Sequence, residues 1–391
     1  MNGIVYHSLQ PTNLKTTYGE YDTLDFDIVF AGRALRLNNL RFAADIDTPS
    51  AATGGDLAAD NANTEFYLDP QVGAHSFIDS IATEFSNAGA NSGVVESLTE
   101  YPRWVKIVHV GTQERTAAMN SGAACELRAP SMKMTNALLR GSQPGKPTTN
   151  AYASNQVSRR DADFSVRPYF VLNSASSAQG EAILTERKVG RIRISVRLAR
   201  FNNVFNGNNA VSDITSYGLK NVRLLYQTFP DPGTDVELIC RTRQNLKQNV
   251  QGDAITLMAR LPISANAMTA AFFPTAKINN AFENTLALPE PPNVNRIEFS
   301  FNDSTNAYIS YELLNRNTIL HRAVQSLGGQ MGNDVTTSKL KSGDNYIIGL
   351  NFGGDFINLA RQKFSLLLNS GVGTSGEDYT LYSYFHGVMQ I

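Results

Sequence analysis

Cysteine is nearly missing from this chain: Cys125 and Cys240 are its only two in 391 residues. They are too few and too far apart for a disulfide framework, and with no CxxC unit they give no sign of zinc. Both read as reduced, half-buried thiols. Charge is scarce as well, at 18% of residues against about 25% in ordinary soluble domains. The 34 basic and 35 acidic side chains leave a formal net charge of -1, so no whole-chain field draws in a nucleic-acid backbone or an anionic membrane. Neither a genome-packaging basic arm nor sequence-specific nucleic-acid binding is expected. There is no run of 18 apolar residues, and the opening MNGIVYHSLQPTNLK lacks a basic segment followed by an apolar one, so no membrane span and no signal peptide are expected. The chain reads as one synthesised and folded inside a cell.

The motifs of catalysis and metal binding are missing too. The five histidines, His7, His75, His109, His321 and His386, include no helical i, i+4 pair and no HExxH unit, so each reads as structural. The stretch from Gly141 to Pro147 has three residues between its glycines instead of four, and proline where a phosphate loop carries Ser or Thr. No GxSxG elbow is present. Asp355 after Gly353-Gly354 and Asp253 after Gly252 read as turn chemistry and not as calcium ligands. Arg159-Arg160, flanked by Asp161 and Asp163, reads as a solvated loop, and Asn302-Asp303-Ser304 as an unmodified sequon. The expected site inventory is therefore no catalytic residue, no metal and no cofactor.

What the chain does have is alternation. In residues 191–200, Ile192, Ile194, Val196 and Leu198 alternate with Arg or Ser, the period-two signature of a strand with one dry face. Similar runs occur at 24–28, 222–226, 255–261 and 297–301, separated by Gly, Asn, Pro and Ser clusters such as 202–209 and 230–233 that supply turns. An all-β fold with a few short helices is expected. The best helical signal is 318–327, with Asn317 or Thr318 as cap and Gly328-Gly329 as stop; residues 356–368 are read as strand in their second half. Residues 51–63, 131–161 and 201–218 read as surface loops. A length beyond the 250–300 residues or so of a single core predicts two domains, divided in the third loop: 1–212 and 213–391. Residues 81–87 and 297–303 echo each other faintly. On the polar face of the 191–200 strand, Arg191, Arg193 and Arg197 form a stripe expected to meet a neighbour's carboxylates. Trp104 reads either as a core or interface anchor or as a sugar-stacking platform.

The segments Phe164-Ser165-Val166-Arg167-Pro168-Tyr169-Phe170, 191–198, Leu219-Lys220-Asn221-Val222-Arg223-Leu224, and 297–303 followed by Tyr308-Ile309-Ser310-Tyr311 resemble, in order and spacing, the double jelly-roll major capsid proteins. That lineage joins adenovirus hexons, membrane-containing tailless phages, virophages and polinton-like viruses, and the resemblance is to its virophage and polinton-like branch. It implies two tandem jelly-roll β-sandwich domains, the second opened by the Leu219 strand, and homotrimeric pseudo-hexagonal capsomers tiling an icosahedral virion shell. Neighbouring capsomers, penton and minor capsid proteins would be the partners, with an internal membrane beneath the shell left open. The alternatives are a penton or minor capsid protein, or a carbohydrate-binding jelly-roll module.

Overall fold

The computed structural model describes residues 3–47, 66–86, 93–112, 125–129, 163–178, 180–207, 216–250, 254–280, 283–290, 294–301, 308–313, 315–328, 345–353, 356–361, 364–370 and 378–391. In chain order the strands are β1 (Val5–Leu9), β2 (Thr23–Ile28), β3 (Arg33–Asp47), β4 (Phe66–Tyr67), β5 (Ile78–Phe85), β6 (Gly93–Leu98), β7 (Asp163–Val166), β8 (Ala175–Ser176), β9 (Ile183–Leu184), β10 (Ile192–Leu198), β11 (Asn206–Gly207), β12 (Gly218–Pro230), β13 (Ile239–Val250), β14 (Ala254–Ala259), β15 (Ser264–Pro274), β16 (Val294–Phe301), β17 (Ile309–Glu312), β18 (Ile348–Asn351), β19 (Ile357–Asn358), β20 (Phe364–Ser370) and β21 (Tyr379–Gln390). The α-helices are α1 (Tyr101–Thr112), α2 (Glu186–Val189), α3 (Phe201–Val204) and α4 (Arg316–Ser326).

Alternation does what the sequence promises. In β10, Ile192, Ile194, Val196 and Leu198 are buried while Arg193 and Arg197 are exposed, and the strand pairs antiparallel with β2 on one side and β5 on the other. A five-stranded sheet, β1-β12-β3-β7 with β9 on β3, lies over this region. Phe26 of β2 meets Phe42 of β3 edge-on at 6.4 Å, and Phe77 stacks on Phe164 of β7 at 5.3 Å, so the first sandwich is closed by aromatic contacts between its layers. A four-stranded sheet, β14-β20-β16-β17, forms a layer of the C-terminal half, where Phe299 of β16 stacks on Phe352 just beyond β18 at 4.9 Å. A ten-stranded sheet, β18-β15-β21-β13-β6-β5-β10-β2 with β19 and β8 attached, runs through both halves. Its two parts meet where β13 lies parallel to β6, Gln244 opposite Ser97. The strand after the 212/213 division, β12, is hydrogen-bonded between β1 and β3.

Sheet edges and bends are satisfied by side chains. The outer edge of β2 is covered by the segment before it: Thr12 N–H donates to Asp25 O at 2.7 Å, Asn13 Oδ1 accepts from Asp25 N–H at 3.3 Å, and the Asn13 amide donates to Thr23 O. In β3 the register with β12 slips between Arg36 and Arg41, and two asparagine amides replace the lost ladder. Asn38, at φ 64°, exchanges both hydrogen bonds with Ala175, and Asn173 accepts from Leu40 N–H and donates to Leu40 O and Pro168 O. Asn173→Ala would orphan buried backbone groups, and a loss of about 2–3 kcal/mol is expected in urea unfolding; an unchanged midpoint would refute this role for the amide.

Several local expectations are corrected. Helix α4 starts at Arg316, two residues early, because Asn315 is the cap: its side chain accepts from Thr318 N–H at 3.1 Å. Gly328 ends it at φ 81°. Residues 201–218 are not all surface loop, since α3 and Phe205 bury Phe201, Val204 and Phe205. The two thiols are unlike: Cys125 is exposed, while Cys240 is buried and its thiol is pushed up to about 12 by burial, aided by Glu96. The second half of 356–368 is strand β20, as read. The stretches 51–63, 131–161, 141–147, 159–160, 252–253 and 302–304, and Asp355, lie outside the described residues.

Candidate functional site: a polar junction around helix α1

Helix α1 was not legible as a helix, and it is buried almost throughout its length. Pro102 stands in its first turn, where a missing N–H is harmless. Tyr101, Trp104, Val105 and Val108 follow i, i+3, i+4, i+7 spacing. The pattern is obscured because Arg103, Lys106 and His109 are buried as well, at 3, 4 and 3% exposure. A helix surrounded by protein must find partners for such groups, and each does.

Arg103 reaches into the C-terminal half. Its guanidinium donates to Ala287 O at 3.0 Å and to Thr285 O, and lies over the rings of Tyr382 at 4.1 Å and Phe273 at 5.0 Å. Lys106 Nζ is 2.7 Å from Asp69 Oδ2. Burial works to raise Asp69, but Lys106 and the hydrogen bonds from Lys106, Asn284 and Gln71 outweigh it and hold the carboxyl below its ordinary range. Trp104 packs against Tyr384, His386 and the Arg243 guanidinium. At 2% exposure it is an internal anchor, which removes the sugar-platform reading. Around the helix start, Tyr384 Oη donates to Glu100 O, Lys247 pairs with Glu100 at 2.6 Å, and Asn245 exchanges hydrogen bonds with Thr99.

Under the helix lies a histidine and tyrosine relay. Tyr101 Oη accepts from Tyr169 N–H at 3.0 Å and is hydrogen-bonded to His75 Nδ1 at 2.9 Å. His75 Nε2 faces Glu126 Oε2 at 3.6 Å, too long for a hydrogen bond. His109 Nδ1–H donates to Gln71 O at 2.5 Å, and Nε2 accepts from Tyr169 Oη at 2.8 Å. Burial tends to raise Glu126, yet His75 and Arg128 hold it down at about 2. Burial, with Arg128 and His75 nearby, drives His109 well below its ordinary value. The Glu126, His75, Tyr101 line has the order of a catalytic triad, but Tyr101 is fully buried and burial raises its hydroxyl well above its ordinary range; it braces the junction.

A fourth group sits where β6 meets β13. Glu96, 1% exposed, accepts from Val171 N–H through Oε2 at 2.6 Å and from Arg243 N–H through Oε1 at 3.1 Å. Burial raises its carboxyl to about 7 against the pull of Arg243 and these amides. Opposite Arg243, His386 is pushed down to about 3 by burial, then by Arg243 and Arg241; its Nε2 lies 3.0 Å from Thr269 Oγ1. Of the five histidines, the structure brings His75 and His109 together at 5.7 Å, sets His386 beside Trp104, stacks His7 on Tyr226, and leaves His321 exposed on α4. The arginine stripe has partners within the chain: Arg191 and Arg193 face Asp27 at 3.9 and 3.4 Å, and Arg197 faces Asp79 at 4.0 Å, because β10 sits between two strands of its own sheet whose carboxylates share its outer face.

No protein-family model matches this chain, and no curated protein matches it in sequence. The fold does match solved structures: it is that of the double jelly-roll proteins. Among them are the PBCV-1 VP54 structure fitted into a cryo-EM reconstruction of the virophage Sputnik, at TM-score 0.56 and 11% identity over 100% of this chain and 95% of that one, and the Faustovirus major capsid protein, at 0.53 and 10% over 100% and 90%. The cryo-EM structure of the Sputnik virophage aligns at 0.51 and 10%, over 100% of this chain and 87% of that chain.

Proposed function

We propose that this chain is a major capsid protein whose homotrimers form pseudo-hexagonal capsomers of an icosahedral virion shell. The observation that carries the reading is agreement in fold along the whole chain with the Faustovirus major capsid protein and the Sputnik structure, at lengths that leave little of either protein unmatched. The junction is compatible with it: Arg103, Lys106 and Trp104 of α1 are buried against partners from both halves of the chain. The reading assigns no enzyme activity, metal or cofactor. Its partners are neighbouring capsomers, penton and minor capsid proteins, and its place is the virion. The division into rolls 1–212 and 213–391 belongs to the same reading, with β12 crossing back to complete the first sheet. Trp104, the aromatic platform that a sugar-binding module would need, faces inward.

Light scattering and native mass spectrometry over a dilution series test the proposal. A trimer that persists at micromolar concentration is expected, since obligate interfaces commonly bury more than about 2,000 Å². A well-behaved monomer of 42.7 kDa would refute it, and a pentamer would replace it with the penton reading.

A further inference from the structure

Asp69, Lys106 and Asn284 are far apart in sequence and meet in a dry place between the two halves. Asp69 is fully buried, Lys106 is 4% exposed, and Asn284 is half-buried. Asp69 Oδ1 accepts from the N–H groups of Gln71 and Val72 at 2.9 and 3.0 Å, which fixes the carboxylate plane. Its other oxygen, Oδ2, accepts from Lys106 Nζ at 2.7 Å and from Asn284 Nδ2 at 2.6 Å. The amine and the amide are thus held on one atom, no farther apart than the sum of those two bonds. Asn284 Oδ1 in turn accepts from Leu286 N–H at 3.0 Å. The two contacts together fix the orientation of the amide and place a backbone donor where negative charge would develop if its carbonyl carbon were attacked.

We propose that Lys106 and Asn284 become joined by an intramolecular isopeptide bond, with Asp69 as the proton carrier, so that helix α1 is covalently fastened to the 283–290 segment. The attacking species is the minor form of the buried pair in which the Lys106 ammonium has passed its proton to Asp69; the hydrogen bonds that favour the carboxylate keep that form scarce, so the joining is slow. Nζ then attacks Cγ of Asn284, and the oxyanion is held by Leu286 N–H. A proton passes through Asp69 from the new C–N nitrogen to Nδ2, the Cγ–Nδ2 bond breaks, and ammonia leaves, carrying the remaining proton as ammonium and restoring the Asp69 carboxylate. One amide replaces another, with no oxidant, reductant or cofactor. The geometry supplies what an uncatalysed aminolysis lacks: fixed proximity and a buried carboxylate that relays the proton.

The test is the intact mass of the purified full-length chain under denaturing conditions, followed by peptide mapping. A mass lower than the sequence requires by one ammonia is expected, with a branched peptide holding both Lys106 and Asn284 and no tryptic cut after Lys106. Lys106→Arg and Asn284→Ala should each lack the ammonia loss, and Asp69→Asn should leave the residues unjoined. On a denaturing gel the wild-type chain should run ahead of the Lys106→Arg variant. A wild-type mass equal to the sequence, with normal cleavage after Lys106, would overturn the proposal. So would an ammonia loss that survives Lys106→Arg, which marks a cyclised asparagine elsewhere. None of these readouts depends on whether the chain assembles into trimers.

Discussion

Arg103→Ala is expected to lose about 4–5 kcal/mol of unfolding free energy, by the cost of orphaned buried carbonyls added to the cavity left by a large side chain. Two carbonyls of the 285–287 segment lose their donor, and the rings of Tyr382 and Phe273 lose the plate between them. Because these partners belong to the C-terminal half, calorimetry should show one transition in the parent splitting into two in the variant. Arg103→Lys should recover only part of the loss, since an ammonium cannot serve two carbonyls and stack flat on a ring at once. An Arg103→Ala chain melting within about 1 kcal/mol of the parent, the range of an exposed substitution, would show that the junction does not depend on this residue.

Stability should also fall as the solution is acidified below neutrality. His109 and His386 are held below the ordinary value of 6.5 in the fold; their stabilisation is complete above that value and drains away as pH falls, for His386 until about 3. Glu126, depressed to about 2, behaves alike from its ordinary 4.5 downward. Glu96 acts the other way: raised to about 7, it favours the fold at low pH and loses that contribution as pH rises from 4.5 through 7. Between 6.5 and 4.5 the unfolded chain therefore gains two protons where the folded chain has one more at Glu96. His386 and Glu96 offset each other, and the remaining fall is set by His109, at most about 1.4 kcal/mol per pH unit. Below 4.5 the slope steepens, because Glu96 is protonated in both states and ceases to oppose it while Glu126 joins. Urea midpoints across this range should show it, with His386→Gln flattening the upper segment and Glu96→Gln roughly doubling it. A parent profile that is level from pH 6.5 to 4.5 would contradict the assignment.

The sandwiches were legible because burial on one face of a strand writes itself as alternation, and β10 is the clear case. Helix α4 was found, but its cap was misplaced: Asn315 and Asn317 are equally good caps by type, and only backbone conformation separates them. Helix α1 escaped because periodicity detects a boundary between apolar and polar faces, and a helix wrapped by protein has none. Its start was still marked by Pro102 and by Tyr101, Trp104, Val105 and Val108. The junction was invisible for a different reason. Asp69, Lys106 and Asn284 are ordinary residues in ordinary contexts, and only the path of the chain makes them neighbours. The arginine stripe of β10 was legible but its partners within the chain were not, because strand order, which brings Asp27 beside it, is not written in one strand.

The cover that Thr12 and Asn13 place over β2 also limits how copies of this molecule can meet. A bare terminal strand on a ten-stranded sheet would accept the same strand from another copy, and that addition has no natural end; it grows fibres. With the Asp25 amide and carbonyl and the Thr23 carbonyl already engaged, contact along this margin must be made by side chains, whose angles can close a finite assembly. Thr12 and Asn13 thus act as a stopper against edge-to-edge polymerisation, and Asn13→Ala, which bares the Asp25 amide and the Thr23 carbonyl, should make the chain more prone to precipitate.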